Sequence, residues 1–149
     1  MLVDSKQKEL SQDAILMIAA NETKTPYPAA NAYAALVAEA NMPGTTLYRA
    51  GNTLFIMHHA KGRIGVFRAL NADTPRNYLE NSYEWVQAAY KMGFDLMVTD
   101  FKDPTILNIF KAISRKPPKP NMGYKAEQLR NGSYRVTLQL GPLRDEVPS

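Results

Sequence analysis

His58 and His59 are the only histidines in this 149-residue chain, and so its only side chains that titrate near neutral pH without help. They are adjacent and sit in a strand-like run, where neighbouring side chains point to opposite faces, so the pair cannot chelate one metal ion. One is expected to face the core or a groove of the sheet and the other solvent. Glu80 and Glu84 lie four apart on a helical stretch and read as its solvated face. Asp95 and Asp100 show no metal-binding spacing, and no metal site is expected. Asp100 falls at the C-terminal end of a strand, where crevices form in α/β sheets. No Gly-x-Ser-x-Gly elbow is present. With no cysteine at all, a thiolate zinc site, a disulfide scaffold and a Cys nucleophile are excluded together.

Charge and aromatic residues are unevenly placed along the chain. The net charge is +4, but Lys102 to Arg135 holds eight basic residues and two acidic ones, a local +6, leaving ten basic and twelve acidic (−2) elsewhere. Such a segment suits phosphate, nucleic acid or an acidic protein surface, or simply keeps the chain soluble. Tyr78, Tyr83, Trp85 and Tyr90 crowd one helix, and their rings cannot all face a core. Outward-facing aromatics near Arg76 and Lys91 would suit a protein interface. The partner-binding candidates are therefore Trp85 and Tyr83 on that helix, with Lys111, Arg115, Lys116 and Lys119 in the basic segment. A weaker alternative is non-specific, salt-dependent nucleic-acid binding through Arg115-Lys116-Pro117-Pro118-Lys119.

The elements that position these residues follow from periodicity and punctuation. Lys8 to Ala20 and Ala29 to Ala40 carry helical stripes (Ala32, Leu36 and Ala40 in the second), and Asn41-Met42-Pro43-Gly44 stops the second helix. Thr45–Arg49, Thr53–His59 and Arg63–Leu70 form a meander, with Gly51-Asn52 and Lys61-Gly62 at its turns. Thr74 caps a helix that begins at Pro75 and places Leu79, Tyr83, Val86 and Tyr90 on one stripe. Asp95 to Phe101 contains Leu96-Met97-Val98, a run suited to a strand buried on both faces. Asp103 opens a helix with Ile106, Leu107, Phe110 and Ile113 inward. Lys116-Pro117-Pro118-Lys119-Pro120 is an extended connector. Tyr124–Leu129 and Tyr134–Leu140 make a hairpin around Asn131-Gly132.

The expected architecture is α+β, a mixed sheet in the order α-α-β-β-β-α-β-α-β-β, with the helix from Pro75 crossing between parallel strands. Residues 1–141 read as a single domain and 142–149 as a flexible tail. The N-terminus lacks the order of a signal peptide and no run is long enough to span a bilayer, so a protein that is not secreted and has no membrane partner is expected.

This order resembles the GNAT (N-acetyltransferase) superfamily, with Met122-Gly123-Tyr124 where the family enters its final hairpin. It is most similar to the GNAT-like virion-assembly proteins of short-tailed phages, through Leu107-Asn108-Ile109-Phe110-Lys111. The resemblance implies a location in the host cytoplasm or the virion, and partners among the proteins of a phage particle. Two departures bear on activity. Active members carry a glycine-rich pyrophosphate loop before the long helix, whereas this chain has Asn71-Ala72-Asp73-Thr74-Pro75-Arg76-Asn77, with no glycine and one N–H fewer at Pro75. The place of the tyrosine that protonates the leaving thiolate falls on Phe110, which has no proton to give.

The expectation is a catalytically degraded accessory or structural protein with no cofactor, acting through protein contacts. The alternative is a divergent acetyl-CoA-dependent N-acetyltransferase. In that case Arg68, Thr74, Arg76 and Asn77 would hold the cofactor, Tyr90 or Tyr124 would be the acid, and His58 a base near an amine substrate.

Overall fold

In the computed structural model the described residues are 29–115 and 123–144; the helix expected over Lys8 to Ala20 and the Pro-rich connector fall outside them. The elements run α1 (Ala29–Ala40), β1 (Thr45–Ala50), β2 (Thr53–Lys61), β3 (Ile64–Asn71), α2 (Pro75–Lys91), β4 (Leu96–Phe101), a 3₁₀ turn (Pro104–Ile106), α3 (Leu107–Arg115), β5 (Gly123–Gln128) and β6 (Tyr134–Gln139). The strands form one six-stranded sheet in the order β1-β2-β3-β4-β6-β5. This is the mixed α+β order expected from the sequence. The parallel crossover is present too: Ile64, Gly65 and Val66 of β3 register with Leu96, Met97 and Val98 of β4.

The described residues divide into two compact units, 29–58 with 68–81, and 59–67 with 82–115 and 123–144. In the first unit β1 and β2 pair antiparallel from Thr45↔His58 to Ala50↔Thr53. Leu36 and Ala40 of α1 close over Leu47, Leu54, Ile56 and Leu70, with Val37 at the margin. The turn between β1 and β2 depends on Gly51. Its φ is +54°, and a Cβ there would stand 2.6 Å from Asn81 Oδ1 and 2.9 Å from Asp73 Oδ2. A side chain would meet both strain and collision.

In the second unit β4 pairs antiparallel with β6 from Leu96↔Gln139 to Phe101↔Tyr134, and β5 with β6 from Gly123↔Gln139 to Gln128↔Tyr134. Met97, Val136 and Leu138 are fully buried, while Leu96 and Val98 on the opposite face are half-exposed. The β4 run is therefore buried on one face, not on both as its continuous apolar character suggested.

The buried stripe of α2 also differs from the expected one. It runs Ser82, Trp85, Val86, Ala89, a turn of the helix about one residue away from the Leu79-Tyr83-Val86-Tyr90 reading. The indole decides this. Trp85 is 1% exposed and its ring centroid lies 4.5 Å from that of Phe67. Tyr83 and Tyr90 flank the stripe, half-buried, where each hydroxyl reaches a backbone carbonyl. A phenol is better placed at such a margin than under a sheet, because its O–H keeps a partner there.

The first residues beyond the last strand are anchored, although the tail was expected to begin at 142. Arg144 donates from its backbone N–H to Asp95 Oδ2 at 2.8 Å and from Nε to Oδ1 at 2.6 Å. Its Nη2 donates to the carbonyls of Tyr90 and Phe94, and the guanidinium lies 3.8 Å above the Tyr90 ring. Asp95 is 4% exposed, so a buried carboxylate draws the chain back onto the segment just before β4. Residues 145–149 lie outside the described ones.

Candidate functional site

In the segment from Asn71 to Asn77, where the resemblance puts the cofactor loop, the side chains of Asn71 and Asp73 are engaged in hydrogen bonds. Asp73 Oδ2 accepts from the backbone N–H of Asn52 at 2.8 Å and from Asn81 Nδ2 at 2.7 Å. Thr53 donates its hydroxyl to Asn71 Oδ1 and receives a hydrogen bond from Asn81. Asn71 in turn bonds the backbone of Asp73 in both directions. The backbone N–H of Asn52 acts most strongly on the Asp73 carboxyl; burial opposes it, and the Asn81 and Asn52 amides add to it, so that the carboxyl is held below its usual range. These donors bind the β1–β2 turn to the start of α2.

At the helix start itself, Thr74 Oγ1 accepts from the N–H of Asn77 at 3.3 Å, the N-cap expected there. The N–H of Tyr78 is taken by the Thr74 carbonyl, and Pro75 has none. Much of what the first turn could offer an anion is thus used internally, with a carboxylate alongside. Arg76 is exposed and makes no ion pair among the described residues.

Arg68, the remaining cofactor candidate, is committed elsewhere. Its guanidinium pairs with both carboxylate oxygens of Glu39, at the end of α1. His58 joins the same carboxylate, its Nε2 at 2.6 Å from Glu39 Oε2, while Nδ1 sits 2.9 Å from Thr45 Oγ1. An ionised carboxylate only accepts, so Nε2 carries the hydrogen of this contact, and Nδ1 shares the other with the Thr45 hydroxyl. The base candidate is therefore engaged at both nitrogens. Burial works to raise the Glu39 pKa, but the hydrogen bonds and charges of Arg68 and His58 together prevail and hold it below the usual value. His59 is exposed and bonds the Gly62 carbonyl, so the two histidines part as their spacing required.

The acid candidates belong to the second unit. Phe110 is 5% exposed, with ring centroids of Phe101, Phe67 and Tyr124 at 6.1, 6.4 and 6.5 Å. It is the hub of an aromatic cluster that Tyr134 extends through Phe101. Tyr90 donates its hydroxyl to the Pro142 carbonyl at 2.7 Å and carries Arg144 on its ring, which makes it part of the C-terminal anchor. Tyr124 is half-buried at the start of β5. It borders a shallow pocket of about 280 Å³ lined also by Leu96, Gly123, Lys125, Thr137 and Gln139.

Of the partner-binding residues, Trp85 is corrected: it is core, held under Phe67, and offers no surface. Tyr83 is half-buried and donates to the Ala112 carbonyl at 3.0 Å. Lys111 and Arg115 are exposed on α3, whereas Lys116 and Lys119 lie outside the described residues. Arg135 is neutralised within the basic segment by Asp100, with Nε and Nη2 each 2.9 Å from a carboxylate oxygen. Asp100 is thus an ion-pair partner, and its pKa falls below the usual range chiefly through the Arg135 hydrogen bonds. Sequence reasoning missed the Glu39–His58–Arg68 group and the Asp95–Arg144 pair. Both join residues far apart in sequence, and no local motif marks either. Among the described residues no cluster of three or more His, Asp or Glu could hold a metal, and no helix is long and apolar enough to cross a membrane.

The strand order, the crossover helix and the closing hairpin define a GNAT fold. No family model and no curated protein matches the sequence. Among solved structures the chain is similar to aminoglycoside 6'-acetyltransferase type Ii, with a TM-score of 0.65 at 10% identity over 97% of this chain and 98% of that one. It is also similar to a Bacillus subtilis acetyltransferase in complex with CoA, with a TM-score of 0.57 at 8% identity over 93% and 96% of the two chains.

Proposed function

We propose that this chain is a GNAT-fold protein that has given up acetyl transfer and works as an accessory or structural protein through contacts with other proteins. The observation that carries this reading is Phe110. At the position the resemblance assigns to the proton donor stands a phenyl ring, buried in a ring cluster, with no proton to deliver to a leaving thiolate. The hydrogen bonding of Asn71 and Asp73 supports it, since these two side chains are engaged with Asn52, Thr53 and Asn81 and with the segment's own backbone. Participation in the assembly of a phage particle is the concrete version, and it rests on the sequence resemblance.

A second reading is acetyl-CoA-dependent N-acetyl transfer, and the comparisons favour it over the first: both neighbours are acetyltransferases and one holds CoA. In this reading Tyr124 is the acid, because Tyr90 is committed to Pro142, and Arg76 is the cation for the pyrophosphate. The test is thiol release from acetyl-CoA in the presence of a panel of primary amines, including aminoglycosides and basic peptides. The first reading expects no release above the protein-free rate. Release that is lost in Tyr124→Phe overturns it in favour of the second.

A further inference from the structure

In the sheet order β5 comes last, with β6 on one side, and among the described residues no strand pairs its other edge. Lys125, Ala126, Glu127 and Gln128 are exposed. Such an edge presents a row of backbone donors and acceptors to any chain that can lie alongside. The charges beside it are patterned. Asp100 stands opposite Arg135, and Arg135 opposite Glu127. Across β4, β6 and β5 one face therefore carries a row of acid, base, acid, which ends on Glu127 at the open edge. A further strand that put a cation next to Glu127 would extend the alternation, and opposite charges directly across a strand pair are stabilising.

We propose that β5 is a self-association edge, at which a second copy of this chain adds its own β5 antiparallel about a two-fold axis through Ala126. That register pairs residue 125 of one copy with residue 127 of the other, twice. Lys125 of each copy then faces Glu127 of its mate on the charged face, and the row becomes Asp100, Arg135, Glu127, Lys125 of the second copy. The two Ala126 residues meet on the axis, where small side chains let the strands approach. A strand of one sign would satisfy Lys125 or Glu127 but repel the other. A second copy satisfies both at once, which is why it is the occupant the pattern selects. A six-residue edge is well short of the roughly 800 Å² per partner of a stable interface, so the association is reversible and depends on concentration.

Sedimentation velocity on the full chain, from about 1 µM to about 1 mM, tests this, because affinities in that range read as a monomer–dimer transition. Wild type is expected to dimerise within the range. Lys125→Glu and Glu127→Lys should each weaken dimerisation about tenfold or more, since each sets like charges opposite one another twice. The double variant Lys125→Glu/Glu127→Lys should recover it, and an equimolar mixture of the two single variants should form heterodimers. Because Glu127 also neighbours Arg135, melting of each variant is followed alongside. A misfolded single variant would not be rescued by mixing. A chain that stays monomeric throughout, a dimer indifferent to both single changes, or single variants that fail to pair when mixed would each overturn the proposal.

Discussion

Replacing Arg144 with alanine removes the guanidinium that ties the end of the described chain to α2 and to the segment between α2 and β4. Three side-chain hydrogen bonds go with it: to Asp95 Oδ1 at 2.6 Å, to the Tyr90 carbonyl at 3.0 Å and to the Phe94 carbonyl at 3.2 Å. The contact with the Tyr90 ring goes as well, and Asp95 keeps only the backbone N–H of residue 144 from this partner. Leaving one member of a buried ion pair uncompensated costs about 3–5 kcal/mol. The Arg144 side chain is 30% exposed and that N–H remains, so about 2–3 kcal/mol is the figure for this site. For a chain of this size each kcal/mol moves Tm by roughly 2–4 °C, giving a fall of roughly 4–12 °C by calorimetry or circular dichroism. A double-mutant cycle with Asp95→Asn and Arg144→Met should show coupling, the pair costing less than the sum of the single changes. An Arg144→Ala protein within about 0.5 kcal/mol of the parent, the range of ordinary surface changes, would refute the reasoning.

Three further outcomes are expected. Phe110→Ala should cost about 3–5 kcal/mol, the range for emptying a buried aromatic site, read as a lower urea midpoint at unchanged m-value. Trp85, buried against Phe67, should emit to the blue of an exposed indole and resist acrylamide quenching until the chain unfolds; emission like that of free tryptophan in the native state would contradict its placement. Glu39 has a folded-state pKa below its ordinary 4.5, so its contribution to stability is present above that pH and is lost as pH falls through the folded value. Tm should accordingly hold near neutrality and fall on acidification below about pH 4.5, and Glu39→Gln should flatten that fall.

The elements were legible in the sequence because each is punctuated by residues with one physical use. Gly51-Asn52 and Asn131-Gly132 mark hairpin turns where φ is +54° at Gly51 and +85° at Gly132. Thr74-Pro75 marks a helix start whose cap is seen in the Thr74–Asn77 hydrogen bond. The crossover followed from strand, helix and strand in succession. What periodicity could not supply was rotation and partnership. The α2 stripe turned by one residue because Tyr83 and Tyr90 fit a helical spacing as well as Trp85 does, and only the three-dimensional surroundings show which ring has a carbonyl for its hydroxyl. Composition made 142–149 a tail, since nothing in Pro142-Leu143-Arg144 announces a carboxylate 49 residues earlier. Glu39 and Arg68 stand 29 residues apart and met only when α1 and β3 were in place. That residues 71–77 hold no glycine was visible in the sequence. The Asn52–Asp73–Asn81 network formed there was not, because asparagines in turns carry no fixed partner.

The central claim, that the acetyltransferase fold is retained without its cofactor chemistry, is most directly tested by melting the full chain with and without millimolar acetyl-CoA. A ligand at about one hundred times its Kd stabilises a fold by about 2.7 kcal/mol, which here is a rise of roughly 5–11 °C. No rise is expected. A rise of that size that disappears in Arg76→Glu would contradict it.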